Sequence, residues 1–370
     1  MRALGVVFSN IHDDNVPELV ANRTMGSIPF GGRYRLIDFA LSNMVNSHID
    51  TVGVITKRNY QSLMDHVGSG KDWDLARKDG GLIFLPPFSD LDSDTLYESR
   101  LEALKGIMNF LNRADEDYVV LTDCDGICRI NYDDVIERHV KTQADITMVY
   151  TKHNAKQSEE VNVNTLKIDD TGRVQSIKYE PVLNKSANLF INMYVLKRSL
   201  LINLLNESIS RNKRHFIEDV IAKSLRSHKI MAYQHNGYYA RISSLQSYYN
   251  CSMELLKDTV RDELFGDRSV FTKIRDSAPT KFGFNSVVKN SMIADGCIIE
   301  GEVENCILFR GVKIARGTKV KNCILMQNTN VGENANLNCI ITDKNVLIRD
   351  RRVLSGSENH SFYIKKGTLI

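Results

Sequence analysis

Four short segments of similar sequence recur in the last quarter of the chain: Asn290-Ser291-Met292-Ile293, Asn305-Cys306-Ile307-Leu308, Asn322-Cys323-Ile324-Leu325 and Asn338-Cys339-Ile340-Ile341. Successive segments begin 15, 17 and 16 residues apart, and further apolar residues fall between them. A chain that repeats at this short period stacks coils, and each coil buries its apolar positions against the next. The spacing predicts a parallel β-helix with three short faces per coil. A β-sandwich with regular turns is the alternative, because evenly spaced short strands also suit that fold.

The chain before these repeats alternates between predicted strands and helices. Apolar runs predict strands at residues 3–8, 51–56, 117–122 and 145–150, and helical spacing predicts helices at 36–47, 98–111 and 132–142. Such alternation is typical of an α/β domain with a mainly parallel sheet. We therefore expect an α/β domain over residues 1–256, a linker over 257–284 and the β-helix domain over 285–370.

The composition indicates a globular protein and excludes several classes of partner. Of 370 residues, 42% are hydrophobic and 25% are charged, which is ordinary for a globular chain. The net charge of +3 predicts neither a nucleic-acid partner nor an anionic membrane surface, and no apolar run predicts a membrane-spanning helix. Seven cysteines are an odd number, so we expect reduced thiols in a cytoplasmic protein.

One segment resembles a known family signature closely. Residues 28–47 read IPFGGRYRLIDFALSNMVNS, which resembles the P-F-G-G-K-Y-R-I-I-D-F-x-L-S-N-x-x-N-S signature of bacterial ADP-glucose pyrophosphorylases (glucose-1-phosphate adenylyltransferases). Residues 68–75 (GSGKDWDL) and 80–87 (GGLIFLPP) continue the likeness. The resemblance implies a Rossmann-like α/β nucleotidyltransferase domain with a mainly parallel sheet, followed by a left-handed parallel β-helix of the hexapeptide type. The family joins ATP and glucose 1-phosphate to give ADP-glucose and pyrophosphate with Mg²⁺, for glycogen synthesis.

Residues that this chemistry needs are replaced at matching positions. The family's Gly-rich loop falls on residues 10–16 (NIHDDNV), which contain no glycine and place Asn15 at the charge-stabilising arginine. Met25 stands at the lysine of an A-K-P motif, and Glu180 at the lysine that holds the sugar phosphate. Phosphoryl transfer depends on such cations to stabilise negative charge. We therefore expect no catalytic residues in this chain.

The metal-binding and nucleotide-lining motifs are also altered. In residues 122–126 (TDCDG), Asp125 matches one metal-binding aspartate of the family's S-G-D-H motif, whereas Arg241 stands at the other. A guanidinium cannot ligate a cation, so Asp125 is a vestigial metal ligand. We expect no cofactor in this chain and Mg²⁺ in a catalytic partner. The K-G-T-A stretch near the nucleotide becomes residues 98–101 (ESRL).

This combination of kept framework and lost site resembles the GlgD-type branch of the family. That branch supplies a non-catalytic, regulatory subunit that joins a catalytic GlgC-type subunit in a heterotetramer. The resemblance therefore implies a regulatory, catalytically deficient subunit in glycogen biosynthesis; a homodimer in the partner's absence stays open. One alternative is an enzyme with its own weak adenylyltransferase or other sugar-nucleotide activity. A second is a β-helix interaction or acyltransferase-like protein, disfavoured because residues 285–350 contain no histidine to act as a base.

A regulatory subunit also needs a sensing site. Two arginines match basic positions of the family's effector site, and the C-terminal tail adds further cationic candidates: Arg23, Arg35, His360, Lys365 and Lys366. Arginine suits anionic effectors such as sugar phosphates or phosphate. The alternative is a solvated surface or a structural role, for example pairing of Arg35 with Asp38.

Overall fold

A computed structural model describes residues 2–87, 97–154 and 160–370. The chain divides into two compact units, each assembled from several segments. The first unit comprises Met1–Ile11, Thr24–Gly26 and Phe39–Tyr239, and the second comprises His12–Arg23, Ser27–Asp38 and Ala240–Ile370. The expected division into residues 1–256, 257–284 and 285–370 stays a prediction.

A nine-stranded sheet forms the centre of the first unit. Its strands in chain order are β1 Ala3–Phe8, β2 Thr51–Ile55, β3 Gly81–Leu85, β4 Tyr118–Asp123, β5 Ile146–His153, β6 Glu160–Ile168, β7 Val174–Leu183, β8 Ala187–Lys197 and β9 Ile230–Gln234. All six residues of β1 are buried and apolar or glycine, as expected for a central strand covered on both faces. The strands predicted from apolar runs are thus confirmed.

The order of the strands creates a switch in chain direction beside β1. The spatial order is β7-β6-β8-β4-β1-β2-β3, and β5 joins β8 to β9. The chain runs from β1 outward through β2 and β3, then crosses to the opposite side of β1 to form β4, with all of these pairs parallel. Ligands of open α/β sheets bind at the carboxyl ends of strands at such a switch point. The first unit therefore has a preferred place for a site, beside Phe8 and Asp123.

Both units contain α-helices. Those of six or more residues with α geometry are α1 Leu36–Val45, α2 Gln61–Val67, α3 Arg100–Lys105, α4 Met108–Arg113, α5 Tyr132–Lys141, α6 Arg198–Ser210, α7 Leu245–Glu254 and α8 Asp258–Phe265. The single helix predicted over 98–111 is wrong in one respect, since it is divided into α3 and α4. The division falls at Gly106, a poor helix former, and Ile107 leaves helical geometry with φ −108° and ψ 16°. None of the described helices is long and apolar enough to cross a membrane.

Three stacks of short parallel strands form the predicted left-handed β-helix in the second unit. Each stack contains five strands, which begin with Lys281–Phe282, Val287–Lys289 and Met292–Ile293 and end with Leu347–Ile348, Val353–Ser355 and Phe362–Ile364. Val303, Val320 and Leu337 occupy equivalent positions in successive coils and are buried. The predicted fold class, an α/β nucleotidyltransferase-like domain followed by a β-helix, is therefore confirmed.

The recurring asparagines form one corner of the coils. Asn290, Asn305 and Asn322 have left-handed backbone geometry, with φ between 40° and 52°, which asparagine tolerates better than most residues. The side-chain amide of each donates to the next along the stack, and Asn322 donates to Asn338 at 3.2 Å. In the fourth copy the left-handed residue is Cys339, one position later than the repeat predicts. All seven cysteines are free and buried.

The signature segment forms a hairpin in the second unit. Strands Pro29–Phe30 and Tyr34–Arg35 pair antiparallel across a turn in which Gly31 and Gly32 have φ values of 57° and 81°. Residues with a Cβ atom rarely adopt this conformation, so the two glycines are needed to close the turn. Tyr248 of α7 donates to the Pro29 carbonyl at 2.8 Å and joins the hairpin to the C-terminal part of the chain.

Candidate functional site

The carboxyl ends of β1 and β4 meet at the switch point of the first unit. Phe8 and Asp123 are paired across the two strands, and both side chains are buried. The residues that follow β1 are buried as well: Ser9 donates to the Ile55 carbonyl at 2.7 Å, and Asn10 accepts a hydrogen bond from the Tyr97 hydroxyl at 2.9 Å. The switch point is thus lined by polar groups that already bond to this unit's own atoms.

Arg100 is directed at the same point from the start of α3. A capping box fixes this helix end, because Ser99 accepts from the Glu102 amide at 3.2 Å while Glu102 accepts from the Ser99 amide. One guanidinium nitrogen of Arg100 donates to the Asp123 carboxylate, and the two side chains form a buried ion pair. Burial alone would lower the pKa of Arg100, but the charge of Asp123 raises it above its ordinary value.

Two aromatic rings enclose the Arg100 guanidinium. Its central carbon lies 5.1 Å from the centroid of the Phe8 ring and 5.9 Å from that of Tyr194. Tyr194 is itself held edge-to-face between Phe190 and Phe216, with centroid distances of 4.9 and 5.5 Å. Cation–π contacts of this kind strengthen when water is excluded. The guanidinium is therefore fixed by both charge and packing.

The carboxylates at the switch point match the family's metal-binding pair at one of its two positions. Asp125, the predicted vestigial metal ligand, is 2% exposed and lies just beyond β4. Its neighbour Asp123 accepts a hydrogen bond from Arg100 through one carboxylate oxygen, and Asp123 and Asp125 offer carboxylate oxygens within 4.8 Å of each other. Arg241 stands at the position of the family's second metal-binding aspartate. It is a buried residue of the short strand Tyr239–Arg241. Because a guanidinium cannot ligate a cation, Asp125 alone supplies a carboxylate at the two positions where the family has metal-binding aspartates.

The other positions at which the family's catalytic residues are replaced have ordinary structural surroundings. Asn15 ends a 3-10 turn, Asp13–Asn15, in the second unit. Met25 is 1% exposed, so a buried apolar side chain stands where the family has a lysine. Glu180, on β7, forms ion pairs with Lys178 and Lys185 at 3.0 Å each. These contacts lower the pKa of Glu180, the Lys178 hydrogen bond most of all, and they engage the two nearby cations.

A buried ion pair lies among the predicted effector residues of the second unit. Arg23 donates to both carboxylate oxygens of Asp343, at 2.7 and 2.8 Å, and the two side chains are 3% and 4% exposed. The Tyr363 hydroxyl lies 2.9 Å from Asp343 Oδ2 and 3.0 Å from the Glu18 carbonyl. Arg23 is therefore bound to Asp343 within the folded chain.

Lys344 adds an unbalanced positive charge beside this pair. Burial and the charges of Arg35 and Arg23 lower the pKa of Lys344 to about 7, and Lys366 acts in the same direction. Asp343 opposes this shift but is already paired with Arg23. Among the residues that the structure describes, the Lys344 ammonium has no hydrogen-bond or ion-pair partner. Arg23, Arg35, Lys344 and Lys366 thus form a group of positive side chains whose charges act on one another, here called the cation cluster.

The structure joins some of the predicted effector residues and leaves others apart. Arg35 is 7% exposed, and its backbone amide donates to Asp38 at 3.0 Å. Lys365 is exposed beside Lys366. His360 is exposed in a turn with Ser357, where their backbones exchange two hydrogen bonds of 3.0 Å. Among the described residues, no hydrogen bond or ion pair joins Lys365 or His360 to Lys344.

Sequence reasoning missed Arg100, Asp123 and Lys344 as individual residues. Asp123 and Asp125 both follow the apolar run of β4, which was a usable signal for a site at the end of a strand. The capping box of Ser99 and Glu102 was a signal for the start of α3. Nothing in the sequence marks Lys344 apart from other solenoid lysines, because its environment arises from burial and from Arg35 and Arg23, which are more than 300 positions away.

Comparisons with known proteins agree with this architecture. The family model described as "Nucleotidyl transferase" matches residues 19–258, and the model described as "GlmU-like, C-terminal hexapeptide" matches residues 278–361. The chain belongs to the nucleotidyl transferase family. It is 35% identical to "Glycogen biosynthesis protein GlgD" of Bacillus subtilis, over 99% of this chain and 96% of that protein.

Relatives with two different names fall within this family. GlgD of Geobacillus stearothermophilus is 36% identical, over 86% of this chain and 83% of the relative. A "Glucose-1-phosphate adenylyltransferase" of Clostridium perfringens is 32% identical, over 85% of this chain and 80% of the relative. The similarity to the GlgD proteins is slightly higher, and in the Bacillus subtilis case it extends over almost the whole chain.

Proposed function

We propose that this nucleotidyl transferase family member is a regulatory, catalytically deficient subunit of glucose-1-phosphate adenylyltransferase. It acts with a catalytic GlgC-type subunit, in a heterotetramer, in glycogen biosynthesis in the cytoplasm. The observation that carries this proposal is the replacement of one of the family's two metal-binding aspartates by Arg241, which leaves Asp125 without its partner carboxylate. Whole-length similarity to GlgD of Bacillus subtilis supports the pathway.

The replacement of the family's phosphate-binding arginine and lysines also supports the proposal. Transfer to the α-phosphorus of ATP develops negative charge that arginine and lysine normally stabilise, each worth several kcal/mol, on the order of 3–4. Here those positions are Asn15, Met25 and Glu180, and the lysines beside Glu180 are paired with it. The signature segment, by contrast, keeps the glycines that its hairpin requires. The glycines that form the hairpin are kept, whereas the cationic residues that stabilise the substrates' negative charge are replaced.

Mixing the chain with a catalytic glucose-1-phosphate adenylyltransferase from the same organism tests this function. We expect the mixture to release pyrophosphate from ATP and glucose 1-phosphate several times faster than the catalytic subunit alone. Light scattering should give the mass of a heterotetramer. An unchanged rate together with no association would overturn the proposal.

We also propose that the cation cluster binds an anionic effector, a sugar phosphate or inorganic phosphate. Within it, Lys344 and Lys366 add positive charge beside the Arg23–Asp343 pair. An anion placed among these groups would favour the protonated form of Lys344, so binding and protonation would support each other. Arg23 contributes its charge while remaining bound to Asp343.

The effector site is tested by removing the unpaired charges. Lys344→Gln with Lys366→Gln should weaken the response of the assembled enzyme to inorganic phosphate or a sugar phosphate at least tenfold. Lys313→Gln, which removes an exposed lysine of another solenoid strand, is the matched control and should leave the response intact. Equal responses in both variants would exclude the cation cluster as the effector site.

A further inference from the structure

The switch point of the first unit is filled by side chains of the chain itself. Arg100 and Asp123 are 8% and 4% exposed, and the guanidinium lies between the rings of Phe8 and Tyr194. We propose that the Arg100–Asp123 ion pair occupies the crevice in which a nucleotidyl transferase would bind its nucleotide, and so closes this chain to nucleotides. The inference rests on the proposed function and deepens it, because it assigns the loss of nucleotide binding to two named residues.

The position of the pair supports its role as an internal occupant. Phe8 and Asp123 end the parallel strands β1 and β4, where the chain reverses its direction of growth. In open α/β sheets this crevice is where ligands bind. A cation between two aromatic rings, paired with a carboxylate, lies at this place in the first unit.

The two residues also differ from the family motifs together. Arg100 stands at the threonine of K-G-T-A and Asp123 at the serine of S-G-D-H, so two small hydroxyl residues have become a large cation and its counter-ion. Either change alone would bury an unpaired charge, which is unfavourable. Their occurrence as a contacting pair indicates that they act as one unit.

General stability does not account for this arrangement. Arg100 is the first residue of α3, and a positive charge at a helix amino terminus opposes the helix dipole. Buried ion pairs are commonly no more stabilising than apolar residues of similar volume. The Nε atom of Arg100 is buried without a hydrogen-bond partner in the described part of the chain, so the guanidinium is not fully satisfied. Occupation of the crevice explains why the pair is there in spite of these costs.

Reopening the crevice tests the inference on the full-length chain. The double variant Arg100→Thr with Asp123→Ser restores the residue types of the family motifs. Titration calorimetry with adenosine and with ATP is expected to show at least tenfold tighter adenosine binding than in the unmodified chain. ATP should bind no more tightly than adenosine, because the cations for its phosphates are still absent. The variant pair Glu304→Ala with Lys321→Ala removes an exposed ion pair of the β-helix and should gain nothing.

Thermal unfolding shows whether the variants are folded. Each single variant should unfold at a lower temperature than the double variant, because it leaves one buried charge alone. A folded double variant that binds adenosine no better than the unmodified chain would overturn the inference. So would tight ATP binding by the unmodified chain with Arg100 still on Asp123. Neither result depends on stimulation of a catalytic subunit, so failure of the proposed function remains distinguishable.

Discussion

Lys344 offers the most quantitative test of the cation cluster. In the folded chain its pKa is lowered to about 7 from the ordinary value of 10.5, by burial and by Arg35 and Arg23. Between those two values the unfolded chain binds more protons than the folded chain, so raising the pH stabilises the fold. Below about pH 7 Lys344 is protonated in both the folded and the unfolded chain. Its buried charge, close to Arg35 and Arg23, then lowers the stability of the fold by the full amount.

The size of this effect follows from the shift. One pKa unit corresponds to about 1.4 kcal/mol, so an isolated lysine with this shift would gain about 1.4 kcal/mol of stability per pH unit above pH 7. Because Lys344 is only partly enclosed and salt screens its neighbours, we expect a gain of about 1–3 kcal/mol between pH 7 and pH 9. Lys344→Gln removes the charge while keeping most of the side-chain volume.

Urea denaturation followed by circular dichroism measures this gain. At pH 6 the Lys344→Gln variant should be more stable than the unmodified chain, and the difference should shrink steadily from pH 7 to pH 9. Adding phosphate at pH 7 should stabilise the unmodified chain more than the variant. Free energies of unfolding that differ by a constant amount from pH 6 to pH 9 would refute the reasoning.

Three further predictions concern other residues. Arg23→Ala should destabilise the fold by about 3–5 kcal/mol in urea denaturation, since it leaves buried Asp343 without its counter-ion; a loss under 1 kcal/mol would show that water replaces the arginine. Asn322→Ala should cost about 1–2 kcal/mol because its φ of 52° is left-handed, whereas Asn322→Gly should cost less, and equal losses would argue against backbone strain as the cause. Tyr248→Phe should cost about 1 kcal/mol through loss of the hydrogen bond to the Pro29 carbonyl, and an unchanged midpoint would contradict that assignment.

Local patterns in the sequence predicted much of the fold. The Asn-Cys repeats predicted the solenoid because two successive coils place a left-handed asparagine and a small buried cysteine at the same corner, as Asn305 and Cys306 do. Apolar runs predicted β1 and β4 because all of β1, and all of β4 except Tyr118, is buried. The break between α3 and α4 was missed because a single glycine, Gly106, ended a pattern that otherwise continues.

The candidate sites depended on contacts that no local pattern contains. The loss of family residues at Asn15, Met25 and Arg241 is visible in the sequence, but what fills the crevice is not. Arg100 and Asp123 are 23 residues apart and meet only when α3 and β4 pack together. The pKa of Lys344 is lowered first by burial and then by Arg35 and Arg23, at the other end of the chain. Such environments are properties of the folded molecule.

The most direct measurement of the central claim is pyrophosphate release by the isolated chain, supplied with ATP, glucose 1-phosphate and Mg²⁺. Asp125→Asn, which removes the one carboxylate that matches the family's metal-binding motif, provides the background. The account predicts that the unmodified chain and this variant release pyrophosphate at the same negligible rate. Turnover of about 1 per second or faster that disappears in Asp125→Asn would contradict it.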